Sequence, residues 1–151
     1  MTQEDKELLL RDLSARLSYK PIVHIDDCGI WNLRGIDHDD SAELRDRVIV
    51  WHGENYPSSK NSFPIINCKP YLFPLSSMTE EQWDKEFRGY GITEFTRDSF
   101  KYGCETLEFN NNNPNLSKTV KFINQLIKNH FDIYGLIPKG LAIDATGLNI
   151  Y

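Results

Sequence analysis

LSKTVKFINQLIKNHFDIYGLIPKGLAIDA, residues 116–145, is the longest apolar-periodic segment of the chain, and the rest is organised around it. Val120, Ile123, Leu126 and Ile127 recur at helical spacing, Phe122 widens the stripe and Phe131 extends it. This spacing predicts a helix with one buried face, its other side carrying Lys118, Lys121, Asn124, Gln125 and Lys128. Ser117 is placed to cap the N-terminus, and a lysine near the end suits the negative pole of the helix dipole. His130 follows at the terminus, where a cation is favoured, and reads as a capping or packing residue rather than a catalytic one. Gly135, Pro138 and Gly140 then break the pattern, while Leu136-Ile137 and Leu141-Ala142-Ile143 predict a tail docked on the core.

Near the N-terminus, Thr2 to Leu17 reads as an amphipathic helix capped by Thr2, with Leu9, Leu10, Leu13 and Leu17 as its buried stripe. Pro21 ends it. Ile22–Ile25 and Ile30–Ile36 read as strands around the turn Asp26-Asp27-Cys28-Gly29, with Trp31 and Leu33 on one face and Asn32 and Arg34 on the other. Asp37 to Ala42 reads as an acidic loop, and Arg47–Trp51, RVIVW, as a third strand. His52 to Ser62 is polar and loop-like. Phe63 to Leu75 holds Pro64, Pro70 and Pro74, which exclude it from the middle of a regular ladder. Thr79 opens a further helix: Gln82 completes a capping box, Met78 can staple against Trp83, and Gly89 stops it. Gly91 to Phe109 is ambiguous, with ETLEF a candidate strand, and Asn110 to Asn115 reads as a surface loop. Short turns leave no room for crossover helices. The expected fold is therefore one α+β domain spanning residues 1–151, a small antiparallel sheet from 22 to 51 packed by an N-terminal helix and two later helices.

The 151 residues are enough to bury about 70% of the unfolded surface without a staple. A net charge of −5 with no run of Lys or Arg argues against a duplex nucleic-acid binder. Cys28, Cys68 and Cys104 are odd in number and far apart, so they read as buried or free thiols in a reducing compartment. The acidic start and the lack of a long apolar run point to a cytoplasmic protein with no membrane span.

Three stretches, LLLRDLSARL at 8–17, KPYLFPLSSMTEEQ at 69–82 and HFDIYGLIPKGLAID at 130–144, carry a resemblance. Together they resemble a group of short proteins from gut anaerobes and their phages and mobile elements, over about a quarter of the chain. No activity is assigned to that group, so the resemblance implies a context, a phage or mobile-element accessory protein, and no functional residue. Each block also has a plain backbone reading as a helix start, a helix stop or a proline corner.

Two chemistries remain to be weighed. His24, Asp26 and Asp27, then Asp37, His38, Asp39 and Asp40, then His52 supply carboxylates and imidazoles of the kind that hold a divalent metal and activate water. A hairpin of the strands 22–25 and 30–36 keeps the whole set from converging and leaves a subset, His24 with Asp37 or His38 across the ladder, as the candidate. Read as a calcium loop from Asp37, Ala42 stands where glycine is wanted and Val48 where glutamate is wanted. Solvated loop carboxylates are the better reading, and no metal or cofactor is assigned. The cysteines have no local signature for nucleophilic catalysis, and Gly89-Tyr90-Gly91 fails as a dinucleotide fingerprint at Glu94. The favoured function is a non-catalytic module binding a protein partner through the aromatic residues Trp51, Tyr56 and Phe63. A small metal-dependent hydrolase built on the Asp/His residues is the alternative.

Overall fold

The computed structural model describes residues 1–38, 46–51, 61–87 and 116–151. Among them are helices α1 (Gln3–Arg16), α2 (Glu80–Glu86) and α3 (Leu116–Lys128). The strands are β1 (Ile22–Ile25), β2 (Gly29–His38), β3 (Asp46–Trp51), β4 (Asn61–Pro64), β5 (Cys68–Leu72) and β6 (Ile143–Asp144). They form one six-stranded sheet in the order β4-β3-β2-β1-β5-β6. Every neighbour pair is antiparallel except β5 with β6, so the α+β architecture expected from the sequence is the observed one.

The sheet reaches well beyond residue 51, and its extension corrects the reading of the proline-rich stretch. β5 lies inside the sheet between β1 and β6, with Pro70 opposite Val23. The ladder explains why a proline is tolerated there. Asp26 N–H donates to the Asn67 carbonyl at 3.0 Å, and hydrogen-bonded pairs alternate along an antiparallel ladder. His24–Lys69 is therefore the next bonded pair and Val23–Pro70 a non-bonded one. The missing N–H of Pro70 points away from β1, to a side where β6 pairing begins only at Tyr71. Asp37 and His38 are a second correction: they are strand residues of β2, opposite Arg47 and Asp46, not loop residues.

Val23, Ile25, Leu33, Val48, Val50 and Cys68 form the buried face of the sheet, packed under Leu9 and Leu13 of α1 and joined by Leu136, Leu141 and Ala142 of the docked tail. Trp31 belongs to this side too, as its alternation with Asn32 implied. A second cluster gathers α2 and α3: Trp83 and Phe87 pack on Phe122, Leu126 and Phe131, with Phe87 and Phe122 ring centroids 5.3 Å apart. The Gln125 side-chain amide donates to Glu86, tying the two helices at their rim. Two helical stripes differ from expectation. Val120 is 45% exposed, so the buried line of α3 runs through Phe122, Leu126 and Ile127. On the N-terminal stripe, Leu10 of α1 and Leu17 just after it are only half-buried, whereas Asp12 and Arg16 are wholly buried beside Leu9 and Leu13.

Both N-terminal caps form. Thr79 Oγ1 accepts from Gln82 N–H at 3.1 Å while Gln82 Oε1 accepts from Thr79 N–H at 3.0 Å, and Met78 joins the cluster of Trp83. Thr2 caps α1 in the same reciprocal way with Asp5. Ser117 lies inside α3 rather than ahead of it. Gly89, the ETLEF stretch and Asn110–Asn115 lie outside the described residues.

Candidate functional site

Among the described residues, the buried charged and imidazole side chains, Asp12, Arg16, His130 and Asp132, gather where α1 meets the end of α3. Asp12 and Arg16, one helical turn apart, form a two-pronged ion pair, with Arg16 Nε to Asp12 Oδ2 at 2.8 Å and Nη2 to Oδ1 at 2.7 Å. The remaining reach of the guanidinium goes to backbone: Nη1 donates to the Ile127 carbonyl at 3.0 Å and Nη2 to the Phe131 carbonyl at 2.7 Å. Helix ends leave carbonyls without intrahelical donors, and a planar fork of donors suits several of them at once. Burial pushes the Asp12 carboxyl up from its ordinary range, and the Arg16 charge pulls against that rise.

Helix α3 ends in a Schellman turn. His130 occupies the left-handed position at φ 60°, with its N–H bonded to the Ile127 carbonyl and Phe131 N–H bonded to the Leu126 carbonyl. Its imidazole is not the cation that the dipole argument favoured. Burial, and then the nearby Arg16 charge, lower its pKa to about 4, so the ring is neutral at pH 7. The ring stacks on Tyr151, centroids 3.9 Å apart and planes 12° from parallel, and its buried Nδ1 has no hydrogen-bond partner among the described residues. Asp132, also buried, accepts from the N–H groups of Tyr134, Leu136 and Ile137 and thereby shapes the turn that starts the docked tail. Tyr151 donates its hydroxyl to the Tyr71 carbonyl at 2.9 Å and receives Ile22 N–H at 3.3 Å. Burial of that hydroxyl raises its pKa to about 12.

A concentration of shifted pKa values is the usual mark of an active site, but structural networks also produce it. Here Asp12, Arg16 and Asp132 commit their polar atoms to one another and to backbone groups, which is the behaviour of a tie. The sequence carried one signal for this group: Asp12 and Arg16 at i, i+4 share the face of the leucine stripe. The backbone partners of Arg16, at Ile127 and Phe131, lie more than a hundred residues away and left no local trace.

The Asp/His residues singled out from the sequence do not come together. His24 pairs with Ile30 of β2, and Asp37 stands seven residues further along β2, roughly 23 Å away at about 3.3 Å per residue. The same register keeps His38 from His24, so the cross-ladder meeting is corrected. His24 instead lies edge-on to Tyr71. No group of three or more metal-ligating side chains occurs among the described residues; Asp39, Asp40 and His52 lie outside them. Cys28 is exposed in the β1–β2 turn, and Cys68 is buried, its thiol pushed up to about 12 by burial and then by Asp26. Cys104 is outside the described residues.

Of the aromatic anchors, Phe63 is half-buried on the edge strand β4, its ring 6.0 Å from that of Trp31. Trp51 ends β3, next to β4 in the sheet, and Tyr56 lies outside the described residues. The sheet face opposite α1 carries Ile22, His24, Asn32 and Lys69 half-buried, and Ile30 at 53% exposure. No helix among the described residues is long and apolar enough to cross a membrane. Comparisons with protein-family models, with curated proteins and with solved structures find no match.

Proposed function

We propose that this chain is a non-catalytic protein-binding module, an accessory protein of a phage or mobile element working in the cytoplasm. Its reading rests on the use made of the buried ionisable groups: Asp12, Arg16 and Asp132 hold the fold together rather than facing a substrate. Recognition then falls to the surface. Phe63, braced by Trp31 at the sheet's edge, offers a partner a rigid aromatic pair, and Trp51 and Tyr56 precede it in the same part of the chain. Aromatic anchors of this kind dominate the energy of protein interfaces. The mobile-element context comes from the three stretches of resemblance at 8–17, 69–82 and 130–144.

The test is affinity capture from a lysate of the encoding cell, with wild type and with Tyr56→Ala. One stoichiometric partner, retained by wild type and bound at least tenfold more weakly by the variant, supports the reading. Metal-dependent hydrolysis by the purified wild type, lost on substitution of Asp37 and His38, overturns it in favour of the hydrolase.

A further inference from the structure

The ladder between β1 and β5 stops one step early, and a side chain stands in the gap. Alternation from Asp26–Asn67 through His24–Lys69 makes Ile22–Tyr71 the next hydrogen-bonded pair. The paired register nevertheless ends at Val23–Pro70. Ile22 N–H and the Tyr71 carbonyl, which would bond to each other, are both directed at the Tyr151 hydroxyl instead. One group donates to that oxygen and the other accepts from it, the pairing a phenol satisfies and a phenyl cannot. His130 lies flat on the ring and Phe73 approaches it at 5.9 Å.

We propose that this slot is a recognition site for a phenolic side chain, occupied in cis by Tyr151, and that residues 146–151 form a displaceable strap. The strap is tied to the body by Ala145 N–H on the Leu72 carbonyl at one end and by Tyr151 at the other. At its root Thr146 N–H donates to Asp144 Oδ1 and Leu148 N–H to the Ala145 carbonyl, and Ile150 N–H donates to the Leu148 carbonyl within the strap itself. Thr146 to Asn149 are exposed, and Tyr151 keeps 44% of its surface although its hydroxyl is bonded twice. Release of the Tyr151 side chain therefore gives up the His130 stack, the Phe73 ring contact and two hydrogen bonds, and a tyrosyl group presented in trans restores all of them. The ligand class is a tyrosine side chain or another para-substituted phenol. This assignment does not depend on the partner-binding reading above.

Tyr151→Ala empties the slot, and N-acetyl-L-tyrosinamide and N-acetyl-L-phenylalaninamide serve as probes. Thermal stabilisation gives affinity, and NMR shifts of the His130 ring protons and the Ile22 amide report location. The tyrosine probe is expected to raise Tm, move both signals, and bind at least tenfold more tightly than the phenylalanine probe, because the latter leaves two backbone groups unpaired. Wild type should bind it at least tenfold more weakly than the variant, since Tyr151 competes for the slot. Equal binding of the two probes, equal binding by wild type and variant, or no binding to a folded variant overturns the proposal. Should Tyr151→Ala not fold, native-state hydrogen exchange of wild type decides. The Ile22 amide is expected to exchange through an opening well below the global unfolding free energy, and exchange of Ile22 only with global unfolding overturns the strap.

Discussion

Arg16 reaches across 115 positions of sequence to donate to the Phe131 carbonyl at 2.7 Å. The contact joins the two hydrophobic clusters, because α1 contributes Leu9 and Leu13 to the sheet-facing core while Phe131 belongs to the α2–α3 cluster. Asp12 keeps the guanidinium's charge compensated in a place with no solvent. Pairing of this kind is weak as a source of net stability but severe when half is removed.

Replacing Arg16 by Lys is consequently not conservative. A lysine ammonium cannot span both prongs of Asp12 and two carbonyls, and it leaves buried acceptors unsatisfied. Arg16→Lys is expected to destabilise the fold by about 3 kcal/mol, close to the loss from Arg16→Met, in urea unfolding at pH 7. A loss below about 1 kcal/mol for the lysine variant would show that the fork geometry is unimportant.

The pH dependence follows from His130. Its folded pKa, about 4, lies below the ordinary value of 6.5, so between those limits the unfolded chain binds more protons. The stability that neutral His130 confers is complete above pH 6.5 and is lost as pH falls toward 4. The loss is expected to be roughly 2 kcal/mol, discounted from the full shift because part of the ring's surroundings remain near solvent. His130→Asn keeps a residue tolerant of the left-handed conformation. Melts from pH 7 to 4 should show a shallower acid limb for that variant. Parallel limbs would place the titration elsewhere.

Thr79→Ala removes the oxygen that accepts from Gln82 N–H. The expected destabilisation is about 1 kcal/mol, and Thr79→Ser should recover most of it, as a hydroxyl at this position is what matters. Equal stability of the alanine and serine variants in denaturant melts would detach the cap from the stability of α2.

These features differ in how openly the sequence displayed them. The Thr79 box and the RVIVW strand depend on residues a few positions apart, so local chemistry named them. Pro70 misled because its tolerance depends on which way an N–H points, and that is decided by the register of β1 against β5 rather than by composition. Asp12 and Arg16 were passed over because a leucine stripe suggests an apolar face, and only the distant carbonyls of Ile127 and Phe131 make a buried pair affordable there. Val120 fell on the wet side because the helical period admits more than one apolar line when Val120, Phe122 and Ile123 all compete for it. Tyr151 gave no signal at all: its role arises from a gap in a ladder that the sequence does not print.

The Asp/His residues bear on the hydrolase alternative. With Asp37 seven residues along β2 from Ile30, the residue opposite His24 on β1, the triple change Asp37→Asn, His38→Gln and Asp39→Asn is expected to alter Tm by less than about 2 °C, with chelator or with excess manganese or zinc. Metal at a hundredfold its dissociation constant would stabilise a true site by about 2.7 kcal/mol. A metal-induced rise in wild type that the triple variant lacks would restore the metal reading.

That the buried charges act as a tie is tested most directly by a double-mutant cycle. Urea unfolding at pH 7 is measured for wild type, Asp12→Leu, Arg16→Met and the double variant. The single changes should each lose about 3–5 kcal/mol, and the double variant should lose less than their sum by at least about 2 kcal/mol, because each single change strands a buried charge that the double change removes. Additive losses within about 0.5 kcal/mol would mean that Asp12 and Arg16 are not coupled, and would contradict the account.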